Sequence, residues 1–330
     1  MDRLFERKYT LKSSDSEKGV KIEEKEIIRK LLFQMEQQGQ KVRIVSSKHV
    51  STLQQEINTW RRKRMFREEL DRDYLREFNF NTQANPFRSE SVILVASPQP
   101  ITRISFMVNK KPIPVVIPPT YCHSSDVKVE NFLLRILKPE GYHVAKTILP
   151  LKSLAVHSGL AEYGKNNIAY VQGMGSFFRL TAFYSDLPND DDVWSEFQMM
   201  ERCHHCSACL KACPPKAISS ERFLLHAERC ITFLNEGKRD FPSWLDPAWH
   251  HCLVGCLRCQ VICPENKDFR DWIENKTAFS EAETALLLDR LPMDELPART
   301  EKKLEELYMT EYLEILPRNM KALFRNRESS

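Results

Sequence analysis

Seven of the chain's ten cysteines fall in two short runs, and these runs constrain the fold more than any other feature. The first is Cys203-x2-Cys206-x2-Cys209-x3-Cys213-Pro214, and the second is Cys256-x2-Cys259-x3-Cys263-Pro264. A cubane [4Fe–4S] cluster needs four soft thiolates converging on one small volume. Two-residue gaps let a tight loop deliver three of them, and the closing proline turns the chain away. Cysteines scattered through a core have no reason to keep this spacing twice. The runs predict two [4Fe–4S] clusters.

Two cubes require eight ligands, and nine cysteines lie between Cys203 and Cys263. The first run has the spacing of a bacterial ferredoxin, in which the fourth cysteine serves the neighbouring cluster. If the runs cross in that way, Cys203, Cys206, Cys209 and Cys263 hold one cube. Cys213, Cys256 and Cys259 then hold the other with one further thiolate, from Cys230 or Cys252. Three residues rather than two separate Cys252 from Cys256, which spoils the regular spacing. The choice therefore leans to Cys230, with Cys252 a free thiol near the cluster.

Composition is that of an ordinary globular protein, 42% hydrophobic and 28% charged over 330 residues. The 49 basic residues nearly balance 45 acidic ones, so nothing demands a polyanionic partner. The first eight residues are too charged for a secretory leader, and no apolar run approaches the ~18 residues of a membrane span. Clusters and free thiols together imply a reducing cytoplasm without disulfides. None of the nine glycines builds a G-x-G-x-x-G turn or a P-loop. A nicotinamide or flavin held in a Rossmann fold thus has no support, and Gly173-Met174-Gly175 reads as a strand turn. The Asp-x-His-x-x-Gly pattern by which many corrinoid proteins supply a histidine is also missing.

Along the chain, residues 1–20 read as a mobile polar arm. Ile27, Ile28, Leu31, Leu32 and Met35 form one helical stripe, with Gly39 as its C-cap. Val42–Ser46 suits a short strand, and Leu53, Ile57 and Trp60 share a face of a second helix. The continuous apolar run 91–96 suits a buried strand. Residues 104–108 and 113–117 flank Asn109-Lys110-Lys111-Pro112 and read as a hairpin. A helix carrying Val129, Phe132, Leu133 and Ile136 should stop at Pro139-Glu140-Gly141; another is expected over 151–160, and a strand over 177–184. This mixture predicts an α/β or α+β domain over 21–200. A ferredoxin-like two-cluster segment follows over 201–268, then a helical C-terminal segment over 269–330. The basic stretch Trp60–Arg67 could contact phosphates, but Glu68, Glu69, Asp71 and Asp73 follow at once, which fits a solvated helix better.

Further motifs carry a family resemblance. Pro214-Pro215-Lys216-Ala217-Ile218, then Arg229-Cys230-Ile231, then the run from Gly255 to Asn266 resemble the cluster region of the epoxyqueuosine reductases and their cobalamin-dependent relatives, including the reductive dehalogenases. Upstream, Leu154 to Asn166, Gly175-Ser176 and Asp186-Leu187-Pro188 resemble the same family. The resemblance implies a nitroreductase-like N-terminal fold and makes Cys230 the eighth cluster ligand. It also implies base-off cobalamin beside the nearer cluster, with Gly159, Leu160, Gly164, Lys165, Asn166, Gly175 and Ser176 as its binding residues. An external flavodoxin- or ferredoxin-type donor would supply electrons to a small-molecule or modified-nucleoside substrate, a tRNA included.

The chain departs from that pattern where the family carries a proton-donating aspartate. That place falls near Ala145-Lys146, and no acid occurs between Gly141 and Gly159. The family's Asp-Tyr-His segment has no counterpart around 121–130. Tyr121, Cys122 and Tyr163 are the substitute candidates for proton donor or cobalt-side residue, with Lys146 a further one; His143 and His157 fit surface or core places better. The expected activity is a cobalamin- and iron–sulfur-dependent reductase. The alternatives are an electron carrier, or a reductive activator of a separate corrinoid protein.

Overall fold

The computed structural model describes residues 13–328 of the chain. The arm expected over 1–20 lies outside the described residues as far as residue 12; from Ser13 the chain is helical. Helix α1 is Ser13–Glu36, followed by β1 (Lys41–Ser46), α2 (Val50–Arg62), α3 (Glu68–Asp73) and β2 (Ser91–Pro98). The hairpin β3 (Ile101–Val108) and β4 (Lys111–Ile117) leads to α4 (Ser124–Leu137), β5 (Val144–Thr147) and α5 (Leu151–His157). Then come β6 (Glu162–Tyr163), β7 (Ala169–Tyr170) and β8 (Phe178–Ser185). The cysteine segment holds the short helices α6 (Ala208–Ala212), α7 (Ile231–Glu236) and α8 (Arg258–Val261). The chain closes with β9 (Ile273–Phe279), α9 (Glu281–Leu288), α10 (Ala298–Glu306) and α11 (Leu316–Glu328).

The main sheet has the order β1-β2-β8-β5, every pair antiparallel. Because side chains alternate across a strand, β2 sends Val92, Leu94 and Ala96 to one face and Ile93 and Val95 to the other. The first face packs with Leu53 of α2 and Leu154 and Ala155 of α5, the second with Leu31 and Met35 of α1 and Leu133 of α4. Helices on both faces explain why β2 is an unbroken apolar run although no strand of its sheet is parallel. Gly39 ends α1 as expected: at φ 74° it donates to Glu36 O while Gln40 donates to Met35 O, the paired bonds of a Schellman cap.

Two expectations need correction here. Helix α5 ends at His157, short of Leu160, because Gly159 at φ 66° and Leu160 N, donating to Ala155 O, close the same kind of cap. The C-terminal segment is not helical throughout, since β9 pairs in parallel with β3 to make the sheet β4-β3-β9. Its sequence, IENKTAF, shows no apolar alternation, and Phe279, stacked on Phe106 of β3, is its one buried residue. The hairpin turn is Asn109-Lys110, both residues at positive φ, as a two-residue turn of matching twist requires. A second apolar core joins this sheet (Ile104, Phe106, Val115, Phe279) to the C-terminal helices (Leu287, Leu304, Leu316, Met320) and to Leu253 and Val254. Arg318 and Asn319 of α11 donate to the carbonyls of Leu234 and Asn235, pinning α7. Among the described residues no helix is long and apolar enough to cross a membrane.

Candidate iron–sulfur centres and the adjoining cavity

The two cysteine runs fold alike: a loop carries the first thiols, a one-turn helix the next, and a proline follows the last. Cys203, Cys206, Cys209 and Cys263 together line one small cavity, with Gly164, Lys165 and Tyr170 as its other wall. Burial raises the Cys209 thiol to about 11, and Cys203, Cys263 and Cys206 push it further in the same direction. Cys256 is raised to about 12 by burial, with Cys230 and Cys213 adding to it. Cys259 is raised by burial and by Cys256, Cys230, Cys209 and Cys213. Cys203, Cys206, Cys209 and Cys263 thus share one cavity, while Cys213, Cys230 and Cys256 are the thiols that act on Cys259 together with Cys209.

Each tetrad suits an iron cube. Crowded, desolvated thiols resist ionisation until a cation supplies the missing charge, and iron does so. Hydrogen bonds to sulfur are also built in: Lys165 N donates to Cys203 Sγ at 3.4 Å and Ala217 N to Cys213 Sγ at 3.3 Å. The Tyr170 hydroxyl, which accepts from Asn166 Nδ2 at 2.9 Å, bonds the Cys263 thiol. Among the described residues no three or more His, Cys, Asp or Glu side chains are placed to hold a single metal ion; a cube spreads its four thiolates over four irons. Cys252 is fully buried with Ile101, Phe177 and Leu257 in an apolar cluster, and burial, with Cys256 adding to it, raises its thiol.

A cavity of about 280 Å³ adjoins the second tetrad at Cys256. Pro118, Leu151, Ile168, Phe178 and Leu180 give it an apolar lining, into which Tyr121, Lys152, Arg179 and Thr232 bring polar groups. Lys152 was not foreseen from sequence. Its Nζ donates to Asn167 O at 2.9 Å, and surrounding protein lowers its pKa while the thiols of Cys230 and Cys259 oppose that shift. Asp126 is the second unforeseen group. It sits 2% exposed between Arg179 Nε at 2.5 Å and Lys146 Nζ at 2.8 Å, with Thr181 Oγ1 donating at 2.9 Å. Burial works to raise its pKa, but these cations win and hold it below the usual carboxylate range. Asp126 is an ionised anchor for Lys146 and Arg179, unsuited to giving up a proton.

The candidate proton donors do not converge. Tyr121 lines the cavity. Cys122, half-buried, lies 3.2 Å from Ser124 Oγ. Tyr163 is buried in the main core, its hydroxyl 3.3 Å from Ser153 Oγ and its ring stacked on Phe197. His143 pairs with Asp186, and His157 stacks on Trp194 and bonds Ser195 O. The residues expected around cobalamin are likewise spread. Gly164, Lys165 and Asn166 abut the cysteine tetrads, whereas Gly159 and Leu160 line a separate hollow with Lys41 and Arg43. Gly175 and Ser176 meet Asn266, and of the seven Ser176 alone lines the cavity at Cys256. The basic stretch after Trp60 is partly neutralised, Arg61 binding Asp71 at 2.7 Å.

Comparison with known proteins defines the class of the cysteine segment first. Residues 202–266 match the family described as a 4Fe-4S double cluster binding domain, so this segment is one that carries two [4Fe–4S] clusters. Beyond it, the chain is similar to curated epoxyqueuosine reductases. That of Pseudomonas aeruginosa is 36% identical over 117 residues, 35% of this chain and 31% of the relative. That of Escherichia coli is 36% identical over 117 residues, 35% of this chain and 30% of the relative. The matched stretch therefore spans less than a third of these curated relatives. Solved structures extend the likeness in fold. The epoxyqueuosine reductase of Streptococcus thermophilus superposes with a TM-score of 0.61 at 18% identity, covering 91% of this chain and 81% of that one. An epoxyqueuosine reductase solved with an epoxyqueuosine-modified tRNA-Tyr stem loop gives 0.63 at 17% identity, covering 92% and 82%. The mixed helix and strand scaffold is thus that of the epoxyqueuosine reductases.

Proposed function

We propose that this chain is an oxidoreductase of a reducing cytoplasm whose two clusters deliver electrons, one at a time, to a substrate in the cavity beside Cys256. The observation that carries this reading is that cavity. One cluster ligand shares its wall with a hydroxyl donor, Tyr121, and two cations, Lys152 and Arg179. An electron carrier has no need of such a wall. The substrate class is a modified nucleoside within a tRNA stem loop, which the likeness in fold to the stem-loop complex supports. Electrons enter from a flavodoxin- or ferredoxin-type donor. On this reading the sheet β1-β2-β8-β5 with its helices serves as a nitroreductase-like domain, as the family resemblance implies.

The chain's own groups suit a reduction. Lys152 and Arg179 offset the negative charge that arrives with each electron, which is worth more in a cavity with an apolar lining than in water. Reduction also consumes protons, and Tyr121 is the cavity's hydroxyl nearest in kind to a general acid. Cobalamin suits the apolar lining in character, but a cavity of about 280 Å³ does not enclose a corrin. Its binding would require the walls to part.

The test is anaerobic turnover. Holoprotein with both clusters, cobalamin and excess dithionite is given an epoxyqueuosine-bearing stem loop, and the nucleoside is read by mass spectrometry. The expected result is a nucleoside lacking one oxygen. Intact clusters with an unchanged nucleoside would overturn the reading in favour of an electron-transfer protein or an activator of a separate corrinoid protein.

A further inference from the structure

A second and larger void is a cleft of about 1230 Å³, lined in part by Phe233 and Leu234 of α7. Tyr74, from the coil after α3, and Glu236, the last residue of α7, both line this cleft. One turn earlier on the same helix, Thr232 lines the cavity. Between the two voids runs a continuous hydrogen-bonded chain. The Tyr74 hydroxyl donates to Glu236 Oε2 at 3.1 Å, and Glu236 Oε1 shares a hydrogen bond with the hydroxyl of Tyr121. Tyr121 in turn lines the cavity. Its ring packs so closely under Gly255 that a Cβ there would stand 2.5 Å from the hydroxyl. The contact fixes the phenol beside the chain preceding Cys256.

We propose that Tyr74, Glu236 and Tyr121 form a proton relay from the cleft to the cavity beside Cys256. The proposal rests on the reading that reduction takes place in that cavity. Tyr121 gives its proton to the reduced substrate, Glu236 passes its own to Tyr121, and Tyr74 restores Glu236 from solvent in the cleft. One proton enters at Tyr74 and one leaves at Tyr121 for each electron that the external low-potential donor supplies through the clusters. All three side chains end as they began. Burial raises the Glu236 carboxyl more than the two tyrosine bonds lower it, and Glu311 adds to the rise. Tyr312, whose ring meets that of Tyr121 at 5.8 Å, completes the surroundings of the chain. The relay answers the missing acid between Gly141 and Gly159: a carboxyl from the cluster segment stands in for it.

Glu236→Gln keeps an acceptor and a donor for the two tyrosines but cannot pass a proton, so a merely structural role would survive it. In the anaerobic stem-loop assay, Glu236→Gln and Tyr74→Phe are expected to lower kcat about a hundredfold. KM, iron content, melting temperature and the rate of cluster reduction by dithionite should stay at the wild-type value. Unchanged kcat in both variants would overturn the relay. If the wild type does not reduce the stem loop, the proposed function fails by itself, and infrared spectra of the holoprotein decide the relay. A neutral carboxylic carbonyl band that vanishes in Glu236→Gln, and whose shift in heavy water is slowed in Tyr74→Phe, is expected. No such band, or exchange indifferent to Tyr74, overturns it.

Discussion

Asn266 joins the two halves of the site, and its removal has a cost that can be worked from its bonds. The side chain is 0% exposed. Its Oδ1 accepts from Ser176 N at 2.8 Å, and its Nδ2 donates to Ser176 Oγ at 2.8 Å and to Gln260 O at 2.8 Å. Ser176 Oγ keeps a second partner in Gln260 Oε1 at 3.0 Å. Gln260 O keeps a second donor in Cys263 N at 3.1 Å, so Asn266→Ala orphans one buried backbone group, Ser176 N, at about 1–3 kcal/mol. The melting temperature should fall by roughly 2–12 °C, with faster loss of the visible iron–sulfur absorbance on warming. Asn266→Asp separates hydrogen bonding from volume. It keeps an acceptor for Ser176 but sets a carboxylate against the Gln260 carbonyl, so at neutral pH it should destabilise at least as much as alanine. Paired thermal melts under anaerobic conditions measure both. An aspartate variant as stable as wild type would refute the reasoning.

Further outcomes follow from single groups. Cys230→Ser should reduce bound iron well below that of the wild type, whereas Cys252→Ser should leave it unchanged; iron and sulfide analysis of reconstituted protein would show the reverse if Cys252 were the ligand. Tyr170→Phe removes a hydroxyl bonded to the Cys263 thiol, and loss of a hydrogen bond to cluster sulfur should lower one reduction potential; a redox titration with no shift would contradict this. Burial would raise the carboxyl of Glu283, but Lys303 at 2.7 and 2.8 Å and the Ser280 N–H bring it down to about 2. A depressed carboxylate stabilises the fold above its unfolded value of about 4.5, and the contribution, about 3 kcal/mol, fades as pH falls towards 2. Denaturant unfolding at pH 7 and pH 3 should therefore differ more in wild type than in Glu283→Gln, and equal differences would refute it.

Much of this was legible because it depends on local spacing. The stripe ending at Met35, the apolar run of β2 and the turn at Asn109-Lys110 are each determined by nearby residues and turn chemistry. The double-cluster segment was legible for the same reason, since loop geometry dictates where three thiols can converge, whereas Cys230 entered through the family resemblance. What stayed hidden depends on residues distant in sequence. Strand β9 lacks a pattern of its own because β3 supplies its partners. Lys152 has no motif of its own, and only the fold sets Cys230 and Cys259 near enough to act on its charge. The Tyr121–Glu236 pair spans 115 positions, and nothing near either residue announces the other. Asp126 was invisible as an anchor because its two cations come from β5 and β8.

The central claim is that eight of these cysteines hold two cubes in contact with one another. Anaerobic iron and labile-sulfide analysis, with electron paramagnetic resonance of the dithionite-reduced protein, tests it most directly. The account predicts two cubes' worth of iron and of sulfide per chain, and a broadened spectrum from two coupled reduced clusters, because Cys209 of one set is near enough to act on Cys259 of the other. A single cube's worth, or a sharp signal from one isolated cluster, would contradict it.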